Sequence, residues 1–264
     1  MRNVALIVVL FFSLIGTGCG LLPKERDETL AWSVSRLYSE ARSALNDGSF
    51  ETAIRHYERL QARFPYGHYA QQAQIDIAYA YWKSQDPVSA LAACDRFIRL
   101  HPNHPHVDYV YYLRGLINFK EDPGYFGWIS RQDMTERDPR GARESFNAFR
   151  ELVTRFPDSK YTPDAIMRMQ YLVNSLALLE VHVARYYIKR GAYVAAVNRA
   201  QYALVNYPEA PAIEEALSIM VTAYDLMGMD DLRDGAERVM RKNFPDSAHL
   251  TRGPGQKRRW WRLW

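Results

Sequence analysis

The sequence predicts an all-α solenoid of about five helix–turn–helix repeats, and three observations carry that expectation. An aromatic or imidazole residue followed by proline recurs at Phe64-Pro65, His101-Pro102, Phe156-Pro157, Tyr207-Pro208 and Phe244-Pro245, with the prolines 37, 55, 51 and 37 residues apart. Each proline follows a stretch of helical apolar periodicity, and proline stops a helix because it lacks an N–H and clashes with the preceding turn. Twelve residues before the proline stands a small residue in four of the five units, Ala53, Ala90, Ser145 and Ala196, which lets two helices approach closely; the fifth has Arg233.

The chain has 264 residues, 48% hydrophobic and 24% charged, ample for a buried core and far from a disordered composition. In chain order, residues 1–18 read as a signal peptide. Arg2 precedes the apolar run Val4 to Ile15, which is shorter than the roughly 20 residues a membrane-spanning helix needs. Gly16, Thr17 and Gly18 then lead to Cys19, an arrangement that resembles the lipobox of bacterial lipoproteins, although Gly16 stands where that pattern favours Leu. The resemblance implies a covalent lipid on Cys19, palmitate included, and, with Gly20 rather than Asp following, the inner leaflet of an outer membrane. Several acyl chains, at about 0.8 kcal/mol per buried CH2, would hold the protein firmly. Residues 19–29 form the expected tether.

The solenoid is expected over 30–251. In its first unit Leu37, Ala41 and Ala44 form one apolar stripe, Asn46 to Phe50 interrupts it, and Ala53, Tyr57, Leu60 and Phe64 form the next, a helical hairpin. The run from Ala53 to Pro65, "AIRHYERLQARFP", resembles the second helix of the tetratricopeptide repeat. Five such units in register imply a superhelix with a peptide-binding groove. The second unit holds Cys94 at the spacing of an apolar helix face, so a small buried thiol without a disulfide partner is expected. The third contains the insertion "KEDPGYFGWISRQDMTER" at 120–137, whose Tyr125, Phe126 and Trp128 read as a contact loop or as a loop folded onto its own repeat. The fourth has no breaker between Asp164 and Lys189, which predicts one long helix, and the fifth, with Arg233, reads as a terminal repeat with a solvent-facing side. Residues 252–264, "RGPGQKRRWWRLW", interleave basic residues with Trp260, Trp261 and Trp264, a pattern suited to an anionic membrane surface or a partner, or else to a solvated tail.

Charge follows this division. The 34 basic and 30 acidic residues give +4, but removing Arg2, Arg252, Lys257, Arg258, Arg259 and Arg262 leaves 28 against 30, a body of net −2. Such a body argues against a nucleic-acid-binding face. No nucleophile elbow, metalloprotease, P-loop or dinucleotide motif occurs outside the signal segment, so no enzyme is expected. His101, His104 and His106 cluster in "HPNHPH", where prolines prevent helical presentation of the imidazoles; turn chemistry is expected there rather than a metal site, and no metal or cofactor is expected beyond the lipid.

The run "RFPYGHYAQQAQIDIAYAYWKSQDPVSALAACDRFIRLHPNHPHVDYVYYLRGL", the re-entry "ERDPRGARESF" and the segment "YIKRGAYVAAVNRAQ" resemble the BamD (ComL) family of outer-membrane assembly lipoproteins, over Leu30 to Pro245. The resemblance implies a non-enzymatic scaffold of the β-barrel assembly (BAM) complex. Its N-terminal repeats would bind C-terminal signals of unfolded outer-membrane proteins, and its C-terminal repeats the POTRA region of BamA. Tyr69, Gln74, Tyr79 and Tyr81 are then candidate groove residues, offering ring stacking and amide hydrogen bonds, the other reading being inter-helix packing. Asn198 and Arg199 match a family segment and are candidates for the BamA interface, where an arginine can pair bidentately with carboxylates, with a solvated helix face as the alternative. Phe126 and Trp128 are candidates for contact with a further BAM lipoprotein. A pilotin-like escort of secretins and a peptidoglycan-binding lipoprotein are the rival functions.

Overall fold

The computed structural model describes residues 28–119 and 139–250; the signal segment, Cys19, the Phe126 and Trp128 insertion and the tail 252–264 lie outside the described residues. Among the described residues a 3-10 turn, Glu28–Ala31, leads into ten α-helices. They are α1 Val34–Asn46, α2 Phe50–Arg63, α3 His68–Lys83, α4 Pro87–Leu100, α5 Val107–Asn118, α6 Pro139–Arg155, α7 Thr162–Lys189, α8 Tyr193–Asn206, α9 Ile213–Leu226 and α10 Asp230–Asn243. No strand occurs among the described residues. Successive pairs make the five expected hairpins, and each helix packs on its neighbours in sequence. Second-neighbour packing joins the odd helices α1 to α3, α3 to α5 and α7 to α9, and a hydrogen bond from Tyr112 to Asp164 joins α5 to α7, so these form one continuous layer.

The aromatic–proline pair is the stop signal of each hairpin. Every even helix ends two residues before its proline. The residue between leaves the α region, which a following proline disfavours: φ and ψ are −131° and 71° at Phe64, −134° and 56° at His101, −136° and 50° at Tyr207 and −133° and 64° at Phe244. Its N–H still reaches the carbonyl four residues back, Leu60, Phe97, Ala203 or Met240, so the last turn closes without a water. The turns inside four hairpins share a second device. Gly48, Gln85, Gly191 and Gly228 take φ of 75°, 64°, 74° and 69°. The next N–H, of Ser49, Asp86, Ala192 or Met229, then bonds back to Ala44, Tyr81, Tyr187 or Tyr224, which satisfies a carbonyl at the helix end.

The small residues do what the spacing implies, since Ala53, Ala90, Ser145 and Ala196 are all fully buried. In the third hairpin the fit is closest. The Ser145 hydroxyl donates to the Gly115 carbonyl at 2.8 Å, and a Cβ on Gly115 would lie 2.8 Å from Phe149 Cζ and nearer still to two other ring carbons. In α1 the buried stripe is Leu37, Ala41 and Leu45, with Ala44 only partly covered, a one-residue correction to the pattern expected from sequence.

The long α7 forms as one helix of 28 residues, roughly 42 Å at 1.5 Å per residue. Its first half, to Leu172, completes the core of α1 to α6, and from Leu176 onward it builds a second core with α8, α9 and α10. The solenoid thus has two lobes sharing one helix.

Candidate functional site

The odd-helix layer of the first lobe carries a face of tyrosines organised by one carboxylate. Asp76 sits on α3 between the buried Ala73 and Ile77 and is 5% exposed. A charge so placed needs partners, and it has four. Tyr38 donates at 2.9 Å, Tyr57 at 3.2 Å and Gln72 at 3.0 Å, and Arg42 closes an ion pair at 3.2 Å. Three helices are therefore tied at one point. Burial and the Asp76 charge push the Tyr38 hydroxyl up to about 12, and the same causes push Tyr57 higher, so both stay neutral donors. Asp76 in turn raises the Arg42 guanidinium above its ordinary value.

The same device recurs between α5 and α7. Tyr112 donates to Asp164 at 2.5 Å, Arg168 bonds the same carboxylate at 2.6 Å, and Tyr112 stacks on Tyr161 at 4.9 Å and 17°. Burial opposes the charge on Asp164, but the bonds from Arg168 and Tyr112 hold its carboxyl below the usual range. Rings extend along the layer: Tyr38 meets Tyr69 at 5.3 Å, Tyr79 meets Trp82 at 5.7 Å, and Tyr109 meets Tyr161 at 5.5 Å. Lys83 lies 4.9 Å over the Trp82 ring. The hydroxyls of Tyr38, Tyr57 and Tyr112 are committed to carboxylates within the protein, which leaves on this face partly exposed rings such as Tyr69 and Tyr79 and the exposed cations Arg42 and Lys83.

The four groove residues expected from sequence separate onto two faces of α3. Tyr69 and Tyr79 share a stripe with Gln72, Asp76 and Lys83, whereas Gln74 and Tyr81 lie roughly 120–160° around the helix at 100° per residue. There Gln74 bonds His101 at 3.1 Å and Tyr81 donates to Glu58 at 2.8 Å. Both side chains therefore bond to neighbouring elements of the protein. Asp76 itself drew no attention in the sequence.

In the second lobe Asn198 is exposed on α8, and its side chain makes no hydrogen bond to the described residues. Its neighbour Arg199 pairs at 3.2 Å with Glu180 of α7, a carboxylate whose side chain is 8% exposed. Arg199, itself 48% exposed, thus combines an open helix-face position with an ion pair to a buried charge. Elsewhere, His101 and His104 pack on Phe97 at 5.0 and 5.2 Å. Burial and the neighbouring imidazoles hold His104 below its ordinary value. Cys94 is fully buried, and burial pushes its thiol up to about 12, which leaves it unreactive. Among the described residues no group of three or more His, Cys, Asp or Glu could hold a metal ion.

Hairpins in register with left-handed inner turns and aromatic–proline stops define a tetratricopeptide-repeat protein. The chain belongs to the family described as "YfiO: Outer membrane lipoprotein", which matches residues 31–239. It is 44% identical over 266 aligned residues, with both chains fully covered, to the "Outer membrane protein assembly factor BamD" of Neisseria meningitidis serogroup A. It is 38% identical to the protein of that name from Vibrio cholerae, covering 79% of this chain and 87% of the relative. Among solved structures it is similar to the MamA protein, with a TM-score of 0.35 and 13% identity over 84% of this chain and 97% of that one, a likeness too weak to bear on function.

Proposed function

We propose that this chain is a non-enzymatic scaffold subunit of the machinery that assembles β-barrel proteins into the outer membrane, held at its periplasmic face by a lipid on Cys19. The observation that carries this reading is 44% identity along the whole chain to relatives named outer membrane protein assembly factors. The first lobe takes the extended, aromatic-ended C-terminal signals of unfolded barrel proteins on the Tyr38, Tyr69 and Tyr79 face. Rings stack on rings, at about 0.5–1.5 kcal/mol each, and Arg42 or Lys83 meets the terminal carboxylate. The second lobe, through the surface around Asn198, holds the POTRA region of BamA, and the Phe126 and Trp128 insertion meets a further lipoprotein of the complex.

Titration of the mature chain with a barrel-signal peptide ending in Phe tests the first contact. Tyr69→Ala combined with Tyr79→Ala is expected to weaken binding about tenfold, the worth of roughly 1.4 kcal/mol of lost stacking. Equal binding of a peptide ending in Asp would reject signal recognition on this face.

A further inference from the structure

The last hairpin ends as though another followed. In the third repeat the chain leaves Pro157 through two tight turns, Ser159 N–H to Phe156 and Thr162 N–H to Ser159, and then starts α7. After Pro245 it makes the same two turns, Ser247 N–H to Phe244 and Leu250 N–H to Ser247. Tyr161, four residues after its proline, stacks on Tyr112, the sixth residue of α5; His249, four after its own, bonds Ser218, the sixth residue of α9, at 3.1 Å. Leu250 packs on the second core. Leu250 therefore stands at the place where a sixth odd helix would begin, beside α10.

The face it meets differs from that of every earlier repeat. Counting back from the proline, the positions filled by Ile54, Leu91, Phe146 and Val197, and by Gln61, Ile98, Val153 and Leu204, become Asp234 and Arg241; those filled by Tyr57, Cys94, Phe149 and Ala200 become Glu237. An apolar helix would not seat there. The far end of the face, at the α9–α10 corner, is acidic, with Asp225, Asp230, Asp231 and Asp234 against Arg233 alone, and it exposes Leu226 and Met229 at 42% and 44%. Asp230 and Asp231 suit a helix N-terminus, and Arg233 pairs with Asp225, Asp230 and Asp234, yet one guanidinium faces four carboxylates and the two apolar side chains have no such reason to be there.

We propose that residues 251–264 of this chain dock along this end face and cap the solenoid. The register fits. The α10 helix of 14 residues spans roughly 21 Å, so the first residues of the segment, mostly uncharged, pass the basic end of α10 at Arg241 and Lys242. Lys257, Arg258, Arg259 and Arg262 then reach the acidic corner, where Trp260 and Trp261 find Leu226 and Met229. Terminal repeats need a polar cover because nothing stacks on them, and here the chain supplies its own.

Hydrogen exchange over 213–243 tests this, comparing the mature full-length chain in neutral detergent with one ending at Leu250 and with a variant carrying Lys257→Glu, Arg258→Glu, Arg259→Glu and Arg262→Glu. The full chain is expected to exchange several-fold more slowly at the end of α9 and the start of α10. Protection should be lost in both altered chains while circular dichroism is unchanged, and it should be independent of protein concentration. Identical exchange in all three overturns the proposal. So does protection that grows with concentration, which assigns the face to a second copy, and protection that appears only with phosphatidylglycerol vesicles, which assigns the segment to a lipid surface.

Discussion

Asp76 gathers donors from α1, α2 and α3, and its removal is the sharpest single change available to the first lobe. Asp76→Leu strands two tyrosine hydroxyls and Arg42 without an acceptor, which costs about 2–3 kcal/mol; a lowered urea midpoint at constant slope would register it, and an unchanged midpoint would contradict the network's role. Asp164 adds a pH dependence. Its carboxyl is held below the usual range in the folded chain, so the unfolded chain binds the proton more readily. The stability it contributes is present above about pH 4, the ordinary value for aspartate, and is lost as pH falls through the folded value. Asp164→Asn should flatten the acid limb of a stability–pH curve, and a curve unchanged in shape would refute this. The sequence singled out Tyr69 and Tyr79 of α3 but not Asp76, because a lone carboxylate in "AQIDIAYA" gives no sign of which neighbours will surround it. The pairing of Arg199 was hidden for the same reason, since its partner Glu180 lies in an apolar run of another helix. Arg199→Glu would set two like charges together over a buried site and so disturb the lobe itself. Asn198→Arg is the cleaner probe of the BamA interface, expected to lower co-isolation of BamA with the helical spectrum retained.

Helix ends and turns were far more legible than side-chain partners. Aromatic–proline pairs and small residues at fixed spacing act through backbone geometry, which is local, and each appears where the pattern put it. The left-handed inner turns carry one exception. Gly48, Gly191 and Gly228 suit a positive φ, whereas Gln85 holds 64° against its Cβ. Gln85→Gly should raise stability by up to about 1 kcal/mol, strain relief outweighing the added freedom of the unfolded chain; a lower melting temperature would contradict this. Gly115→Ala has the opposite sign, forcing α5 and α6 apart at Phe149 at a cost of about 1–3 kcal/mol.

At the scale of the molecule the repeat pattern conceals a division. One long fourth-repeat helix was predictable, but its role between two cores was not, because the periodicity of α7 runs unbroken through Leu172 and Leu176. Only its length, twice that of α8, places its start beside Tyr112 of α5 and its end beside Glu215 of α9, where Arg185 forms an ion pair. Ser175→Pro, at the junction, should break α7 locally at a cost of about 3 kcal/mol and separate one thermal transition into two. Such coupling suits a scaffold that holds an unfolded chain on one lobe and a membrane partner on the other. Affinity isolation of the protein from membranes in mild detergent tests the proposed scaffold role most directly. The account predicts that BamA and its lipoprotein partners come with it, and recovery of a secretin or of peptidoglycan instead, with BamA absent, would contradict it.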